Sequence, residues 1–185
     1  QNGALVTFNW TSLNNTVYYW KAGCDDGLLN GSNSTLRNFT VDTIDPLVNF
    51  TATISNGTFI DKNYITINVT VTETNFANLT YYLWNGTNSL SLYNETTFTN
   101  RTLFINFTYL NTKEKWYLIN VTIRDKASNI KSTETRNITL DSIFPQVNFT
   151  SPTPINNSRA IGNVRIINIS IIDISVRRCI LQVFN

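Results

Sequence analysis

The residues of this sequence that are best placed to do chemistry are asparagines that stand two positions before a serine or threonine. Asn-x-Ser/Thr is the acceptor tripeptide for N-glycosylation, which attaches a sugar to the asparagine side chain. The sequence contains 18 of these tripeptides, none with proline in the middle. They begin at Asn9, Asn14, Asn30, Asn33, Asn38, Asn49, Asn56, Asn68, Asn78, Asn85, Asn94, Asn100, Asn106, Asn120, Asn137, Asn148, Asn156 and Asn168.

Composition explains only part of this number. The chain has 28 asparagines and 40 serines and threonines, from which random placement gives about 6 tripeptides. The alternation of a β-strand also favours polar residues two positions apart, but it does not select asparagine, a poor strand former, over lysine or glutamate. A glycan coat accounts for that choice and also protects strand edges from pairing with other chains. We therefore expect sugars on outward strand faces and turns.

The elements that must position these asparagines are predicted to be β-strands. Aromatic residues make up 12% of the chain, and valine, isoleucine and threonine fill most of the other ordered-looking stretches, as is typical of strands. In Tyr64–Thr72, isoleucine and valine share one face while Asn68 and the threonines share the other. The net charge of +2, without any run of like charges, argues against a nucleic-acid partner. No apolar stretch approaches the roughly 20 residues that a membrane span needs.

A repeat with a period of about 100 residues divides the chain. Residues 38–51 recur as residues 137–150, and in both copies a proline precedes a predicted strand. Two further segments match: Ile67–Glu73 with Ile167–Asp173, and Tyr18–Asp26 with Tyr117–Asp125. The repeat predicts that residues 42–140 form a complete module, that residues 1–41 are the second half of a preceding module, and that residues 141–185 are the first half of a following one.

The complete module is predicted to contain seven strands, near residues 46–52, 64–73, 78–84, 91–98, 102–109, 115–125 and 131–139. Turn residues separate several of them, at Ser55–Gly57, Asn85–Gly86, Asn111–Lys113 and Lys126–Asn129. Seven short strands in about 100 residues are typical of an Ig-like β-sandwich. The predicted fold class is therefore all-β, with tandem Ig-like β-sandwich modules, one complete and two half-modules.

Short motifs add a resemblance to a known kind of repeat. The Asp42–Pro46 junction, the Arg124–Asn129 strand end and the Cys179–Asn185 strand resemble tandem Ig-like repeats of archaeal and bacterial cell-surface glycoproteins. In such repeats the hairpin commonly reads Asp-x-Ala-Gly-Asn, and Ser128 replaces the glycine here. The resemblance implies an Ig-like fold and an extracellular or cell-surface location, in an adhesin, a surface layer or a filament.

The two cysteines fall at matching positions of the repeat. Cys179 aligns with Leu79 and Cys24 with Ile123, both inward-facing in their predicted strands, so one module has room for both sulfurs in its core. Such a pair resembles the inter-sheet disulfide of many Ig-like domains. Within one chain a whole sandwich separates the two cysteines, whereas a disulfide needs Cα atoms within about 7 Å. We expect Cys179 of one unit to pair with Cys24 of the next; the alternative is two reduced, buried thiols.

Catalysis is not expected of this chain. It has no histidine, which removes the commonest general base, and two cysteines alone do not make a zinc site. Ca²⁺ bridging carboxylates at the module junctions is an alternative to ordinary turn and capping roles, but no EF-hand spacing is present. We expect no cofactor other than covalent N-glycans. The acidic residues considered at strand ends and junctions are Asp25, Asp26, Asp125, Asp42, Asp45 and Asp141.

Together these features predict a structural extracellular glycoprotein, the repeat unit of a surface filament, stalk or layer. Residues 141–185 of one unit and residues 1–41 of the next would complete one sandwich. They would do so either by head-to-tail self-association into a fibre or as parts of a longer repeat chain. Two alternatives belong to other classes: an adhesin that recognises a host or neighbouring cell through its loops, and the noncatalytic stalk of a surface enzyme.

Overall fold

The protein is all-β in the part of the chain that the structure, a computed structural model, describes. The described residues are 5–51, 54–86, 90–110, 115–159 and 161–184, and they contain strands and no helix. The strands are β1 (Thr16–Trp20), β2 (Arg37–Val41), β3 (Leu47–Phe50), β4 (Thr58–Ile60), β5 (Ile65–Thr72), β6 (Phe76–Gly86), β7 (Leu90–Phe98), β8 (Phe104–Phe107), β9 (Lys115–Asp125), β10 (Ile130–Ser132), β11 (Arg136–Leu140), β12 (Gln146–Thr150) and β13 (Asn168–Ile172). The all-β prediction is confirmed.

Strands β3 to β11 form two sheets that share one hydrophobic core. The larger sheet has the order β4-β11-β9-β6-β7, with β10 also paired to β9, and the smaller sheet has the order β3-β5-β8. Buried side chains from both sheets form a single cluster, as expected of a β-sandwich. Its members are Val48, Ile65, Ile67, Val69, Leu79, Tyr81, Leu83, Phe107, Leu110, Tyr117, Ile119, Val121, Ile123, Ile138 and Leu140.

Side-chain alternation along β5 follows the predicted pattern. Ile65, Ile67 and Val69 are buried, whereas Thr66 and Asn68 between them are only partly buried. Because successive side chains of a strand point to opposite faces, the apolar set lines the core and the asparagine lies on the outer face.

The strand predicted over residues 131–139 is interrupted by a β-bulge. β10 and β11 both pair with β9, but Ser132 lies opposite Thr122 while Arg136 lies opposite Ile119, so one extra residue is inserted. The Thr133 hydroxyl explains where the ladder breaks. It accepts the Val121 amide at 3.0 Å, and the Thr133 amide donates to the Val121 carbonyl at 2.9 Å.

The sequence did not predict β4, a three-residue strand that pairs with β11 in parallel. Its entry is fixed by the turn at Asn56–Gly57, where Gly57 has φ +78° and donates its amide to the Asn137 carbonyl at 2.8 Å. The predicted turn at residues 126–129 is also present, with Ser128 at φ +76° where the repeats it resembles carry glycine. The predicted turn at residues 111–113 lies outside the described residues.

The turn predicted at Asn85–Gly86 is wrong. Both residues belong to β6, where Asn85 pairs with Ser91 and Gly86 with Leu90 of β7. The glycine has a packing reason, since the indole ring of Trp116 lies where a Cβ atom on Gly86 would stand. The glycine of this asparagine–glycine pair is therefore needed for the close packing of the Trp116 ring on the backbone, and not for a turn.

Gly86→Ala is expected to destabilise the protein by about 1–3 kcal/mol, because the added methyl group must displace the Trp116 ring. Trp116 is 37% exposed, so the ring can move outward instead of breaking the sheet. Denaturant unfolding followed by tryptophan fluorescence would measure the loss. A Gly57→Ala variant is the contrasting control, since no atom lies within 4 Å of its added methyl and its cost comes from backbone strain alone.

Strands β3 to β11, within residues 42–140, form what we call the body. Two further strand pairs flank it and repeat pairings found inside it. β1 pairs with β2 so that Thr16 lies opposite Val41, and 99 positions later Lys115 of β9 lies opposite Leu140 of β11. β12 pairs with β13 so that Val147 lies opposite Ile171, as Val48 of β3 lies opposite Val71 of β5. We call β1–β2 the N-terminal strand pair and β12–β13 the C-terminal strand pair. No helix in the described residues has the length and apolar character to cross a membrane.

Candidate functional site

The candidate glycan acceptors all have some solvent exposure. Thirteen of the 18 asparagines are exposed and five are partly buried, the five being Asn68, Asn78, Asn85, Asn120 and Asn137. An acceptor must present its amide nitrogen to a large sugar donor, so exposure of the side chain is the first geometric requirement for modification.

The outer face of the smaller sheet carries Asn49, Asn68 and Asn106 on its three strands. Asn49 lies opposite Thr70, and the Thr66 hydroxyl donates to Asn106 Oδ1 at 2.6 Å. This hydrogen bond uses the amide oxygen of Asn106, and the side chain is held on the exposed face by its strand neighbour.

In two acceptor tripeptides the threonine hydroxyl hydrogen-bonds the asparagine side chain of the same tripeptide. The Thr96 hydroxyl donates to Asn94 Oδ1 at 2.9 Å, and the Thr102 hydroxyl donates to Asn100 Oδ1 at 2.7 Å. In both, the hydroxyl engages the amide oxygen and not the nitrogen that would carry a sugar. The required threonine thus orients the asparagine within the tripeptide.

The outer face of the larger sheet is less open. Asn120 of β9 lies opposite Tyr82 of β6, whose ring stacks on Trp84 at 5.3 Å with an interplanar angle of 15°. The Oδ1 atoms of Asn120 and Asn137 are both buried, and within the described part of the chain neither has a hydrogen-bond partner. Neighbouring side chains therefore cover part of each amide on this face.

Glycan occupancy is expected to follow this difference in exposure. Asn49 and Asn106 should be modified in most molecules, whereas Asn120 and Asn137 should be modified in fewer, because the enzyme must reach an amide that neighbours partly cover. Glycopeptide mass spectrometry of native material would measure the fraction at each site. Asn63 is the internal control, as it is exposed but lies outside an acceptor tripeptide. Unmodified asparagines at the exposed sites would contradict the expectation.

Both cysteines are exposed free thiols in the described structure. Their repeat equivalents are Leu79 and Ile123, which are both 0% exposed and lie directly opposite each other on β6 and β9. These two strands are neighbours in one sheet. A disulfide at the equivalent positions would therefore join two strands of one sheet and not two sheets, unlike the bridge that the sequence resembled. The alignment indicated that both side chains face the core, but not that their strands are neighbours.

Three carboxylates meet where the body begins. Ligand oxygens of Asp42, Glu73 and Asp125 lie within 4.8 Å of one another, and Asp125 is only 1% exposed. Asparagine amides supply the hydrogen bonds: Asn75 Nδ2 donates to Asp42 Oδ2 at 2.6 Å, and Asn129 Nδ2 donates to Asp125 Oδ2 at 2.7 Å. Oxygens at this spacing are the ligand type that hard cations prefer. We call these five residues the junction cluster.

Sequence reasoning placed Asp42 and Asp125 at a junction and a strand end but missed Glu73, Asn75 and Asn129 as their partners. The match of Glu73 with Asp173 was the available signal. Both asparagines look like ordinary turn residues in the sequence, so only the fold reveals that they meet the carboxylates.

Part of the junction cluster recurs in the C-terminal strand pair. Ser175 Oγ donates to Asp141 Oδ2 and the Ser175 amide donates to Asp173 Oδ1, both at 2.6 Å. In the same way Asn75 Nδ2 donates to Asp42 and the Asn75 amide donates to Glu73. Asp141 also accepts the Ile143 amide, as Asp42 accepts that of Ile44. Asp173 Oδ2 is buried and has no hydrogen-bond partner among the residues that the structure describes. This second cluster holds equivalents of Asp42, Glu73 and Asn75 but not of Asp125 and Asn129.

The equivalents of those two missing residues lie in the N-terminal region, at Asp26 and Asn30. Amides of Leu29 and Leu28 donate to Asp26 Oδ1 at 2.7 and 2.9 Å. These bonds, that from Leu29 first, lower the pKa of the Asp26 carboxyl below its ordinary 3.8. Asp26 therefore remains ionised at neutral pH, within a tight turn.

The apolar face of the C-terminal strand pair is uncovered. Val147 is 57% exposed and Ile169 is 40% exposed, whereas their equivalents Val48 and Val69 are 3% and 2% exposed. Together with Cys179 they line an open depression of about 470 Å³. Contiguous apolar surface of this kind marks an interaction site in a folded protein.

Comparison with protein-family models found no match for this chain. A search of curated proteins found none either. Within the chain, the two flanking strand pairs match strand pairs inside residues 42–140 in their pairing.

Proposed function

We propose that this chain is a noncatalytic, structural extracellular glycoprotein, a repeat unit of a surface filament, stalk or layer. It comprises a complete Ig-like sandwich at residues 42–140, the second half of such a module at residues 1–41 and the first half at residues 141–185. Residues 141–185 of one unit and residues 1–41 of the next complete one sandwich, in a second copy or in a longer repeat chain.

The observation that carries this proposal is the identity of strand registers. All five residue pairs of β1 and β2 recur 99 positions later in β9 and β11. The bulge recurs as well, because the Ala22 amide donates to Ser34 Oγ at 2.8 Å as the Val121 amide donates to Thr133 Oγ1. These matches support the interpretation of residues 1–41 as the second half of a sandwich module.

Burial supports the same conclusion. Leu79, Tyr81 and Leu83 are each 0% exposed in β6. At the equivalent positions Cys179 is exposed, Leu181 is 59% exposed and Val183 is 85% exposed. Covering side chains of this size stabilises an interface by about 1.5–3 kcal/mol each before ordering costs are subtracted.

A dense coat of acceptors fits a structural role outside the cell. The sugars would cover the outer faces of both sheets, where Asn49, Asn106 and Asn78 lie. A glycan on an outer face or edge blocks lateral pairing of strands between chains. Contacts would then be confined to the sugar-free apolar faces of the two half-modules, which favours linear assembly.

Self-association of the purified chain tests the proposal. The weight-average mass from light scattering should rise continuously above the monomer polypeptide mass of 21.1 kDa as concentration increases, and electron microscopy should show unbranched filaments. A heterologous contact that does not close gives this open growth. A chain that stays monomeric at all concentrations, or stops at a closed dimer, would overturn the proposal.

A further inference from the structure

The segments that must meet in the completed sandwich are those equivalent to β6 and β9. Residues 176–184 follow β13 and belong to no strand or sheet in the described structure. Residues 20–26 follow β1 at the positions equivalent to residues 119–125, the part of β9 at and beyond the end of its pairing with β11. Each segment lacks the neighbour that its equivalent has.

We propose that residues 20–26 of one copy and residues 176–184 of another pair as adjacent antiparallel strands in the register of β9 and β6, with Cys24 bonded to Cys179. The inference rests on the proposed completion of half-modules and deepens it by naming the contact. Its partner is a second copy of this chain.

The register follows from the internal template. Leu79 lies opposite Ile123 in β6 and β9, and the repeat carries this pair onto Cys179 and Cys24. Directly opposed residues of antiparallel strands have Cα atoms about 4.5 or 5.5 Å apart. That separation lies within the range of about 4.4–6.8 Å that disulfides span.

Neighbouring pairs in this register are complementary. Arg178 falls opposite Asp25, from the template pair of Asn78 with Arg124, so opposite charges meet across the strands. On the core face Leu181 falls opposite Ala22, and Val183 falls opposite Trp20. A large residue therefore faces a smaller one in both core pairs, as close packing requires.

The junction cluster supports the register independently. In the body, Asn129 Nδ2 donates to Asp125 Oδ2 and to the Asp42 carbonyl at 3.1 Å. Asn30 and Asp26 are the equivalents of Asn129 and Asp125, so the proposed pairing places Asn30 next to Asp141 and Asp26 next to Asp173. Asp173 Oδ2 is buried and has no partner among the described residues. Asn30 would then lie inside the junction, so it should lack a glycan in assembled material although it begins an acceptor tripeptide.

Bond formation can be driven with oxidised glutathione. One cysteine thiolate attacks the glutathione disulfide and releases one glutathione thiolate. The second cysteine thiolate then attacks the mixed disulfide and releases the other. Two protein thiols thus become one disulfide while one glutathione disulfide is reduced to two thiols.

The test oxidises the assembled full chain and analyses it on non-reducing gels. We expect a ladder in steps of one chain, 21.1 kDa of polypeptide plus any glycans, that collapses on reduction. Mass spectrometry of mixed ¹⁵N-labelled and unlabelled chains should identify a Cys24–Cys179 peptide that joins one heavy and one light copy. Cys24→Ser and Cys179→Ser should each lose the ladder.

Two matched variants test the register itself. In a Cys24→Ser/Cys179→Ser chain, adding Ala22→Cys and Leu181→Cys should restore the ladder, because these positions form the next core-facing pair. In a Cys179→Ser chain, Ile180→Cys should not crosslink to Cys24, since residue 180 faces outward.

The outcomes separate this inference from the proposed function. Assembly without a ladder, or a ladder built from Cys24–Cys24 and Cys179–Cys179 bonds, overturns the strand register but leaves completion of the sandwich standing. If the parent chain gives no ladder and the cysteine-free chain does not assemble, both the strand register and the completion of the sandwich are overturned. A Cys24–Cys179 ladder in which Asn30 is unmodified supports both.

Discussion

Val183→Arg is expected to abolish self-association while leaving the body at residues 42–140 folded. Val183 is 85% exposed in the single chain, so an arginine there stays in solvent and should leave the free energy of unfolding of the single chain unchanged. In the completed sandwich the same position corresponds to Leu83, which is 0% exposed. Burying an unpaired charge at such a site costs about 3 kcal/mol or more, a loss of at least about 100-fold in the association constant.

Light scattering across a concentration series would measure the change in association constant, and circular dichroism would check that the body is intact. Gln182→Arg is the matched control, because it adds the same charge one residue away on the outer face and should assemble nearly as well as the parent. Equal assembly of Val183→Arg and the parent chain would show that this segment does not enter a core.

The second large effect concerns the body itself. Tyr81 is 0% exposed, its ring meets Phe98 edge-on at 5.9 Å, and its hydroxyl donates to the Thr102 carbonyl at 2.8 Å. Burial raises the pKa of the Tyr81 phenol well above its usual value, so the group stays protonated and keeps donating at alkaline pH. Tyr81→Ala is expected to destabilise the protein by about 3–5 kcal/mol.

The companion variant Tyr81→Phe keeps the ring and removes only the hydroxyl, so its expected cost is about 1 kcal/mol. Denaturant unfolding of the two variants and the parent would separate packing from hydrogen bonding. Equal losses for Tyr81→Phe and Tyr81→Ala would mean that the ring contributes little, against the position of Tyr81 at the centre of the core.

The all-β class and the outward face of β5 could be predicted because both depend on local alternation, which the sequence displays directly. The repeat of about 100 residues was equally visible, and the strand pairs at both ends have registers that match pairs inside residues 42–140. Tertiary contacts decided the rest. β4 is three residues long and exists because β11 offers it an edge, which no local pattern indicates.

Where the candidate site was missed, the cause was the order of strands within a sheet. Leu79 and Ile123 were correctly assigned to the core, but their adjacency in one sheet depends on β6 and β9 becoming neighbours. Glu73 and Asn75 escaped notice for a related reason, since they join Asp42 only after β5 has paired with β3. Both contacts link residues far apart in the chain.

Mixing two blocked variants is the most direct measurement of head-to-tail completion. Ala22→Arg places a charge at the equivalent of Val121, which is 0% exposed, and so blocks the N-terminal half, as Val183→Arg blocks the C-terminal half. Each variant alone should remain at 21.1 kDa. An equimolar mixture should form a species of twice that mass and grow no further, because each chain retains one intact half. A mixture that stays monomeric, or either variant assembling alone like the parent, would contradict the proposal.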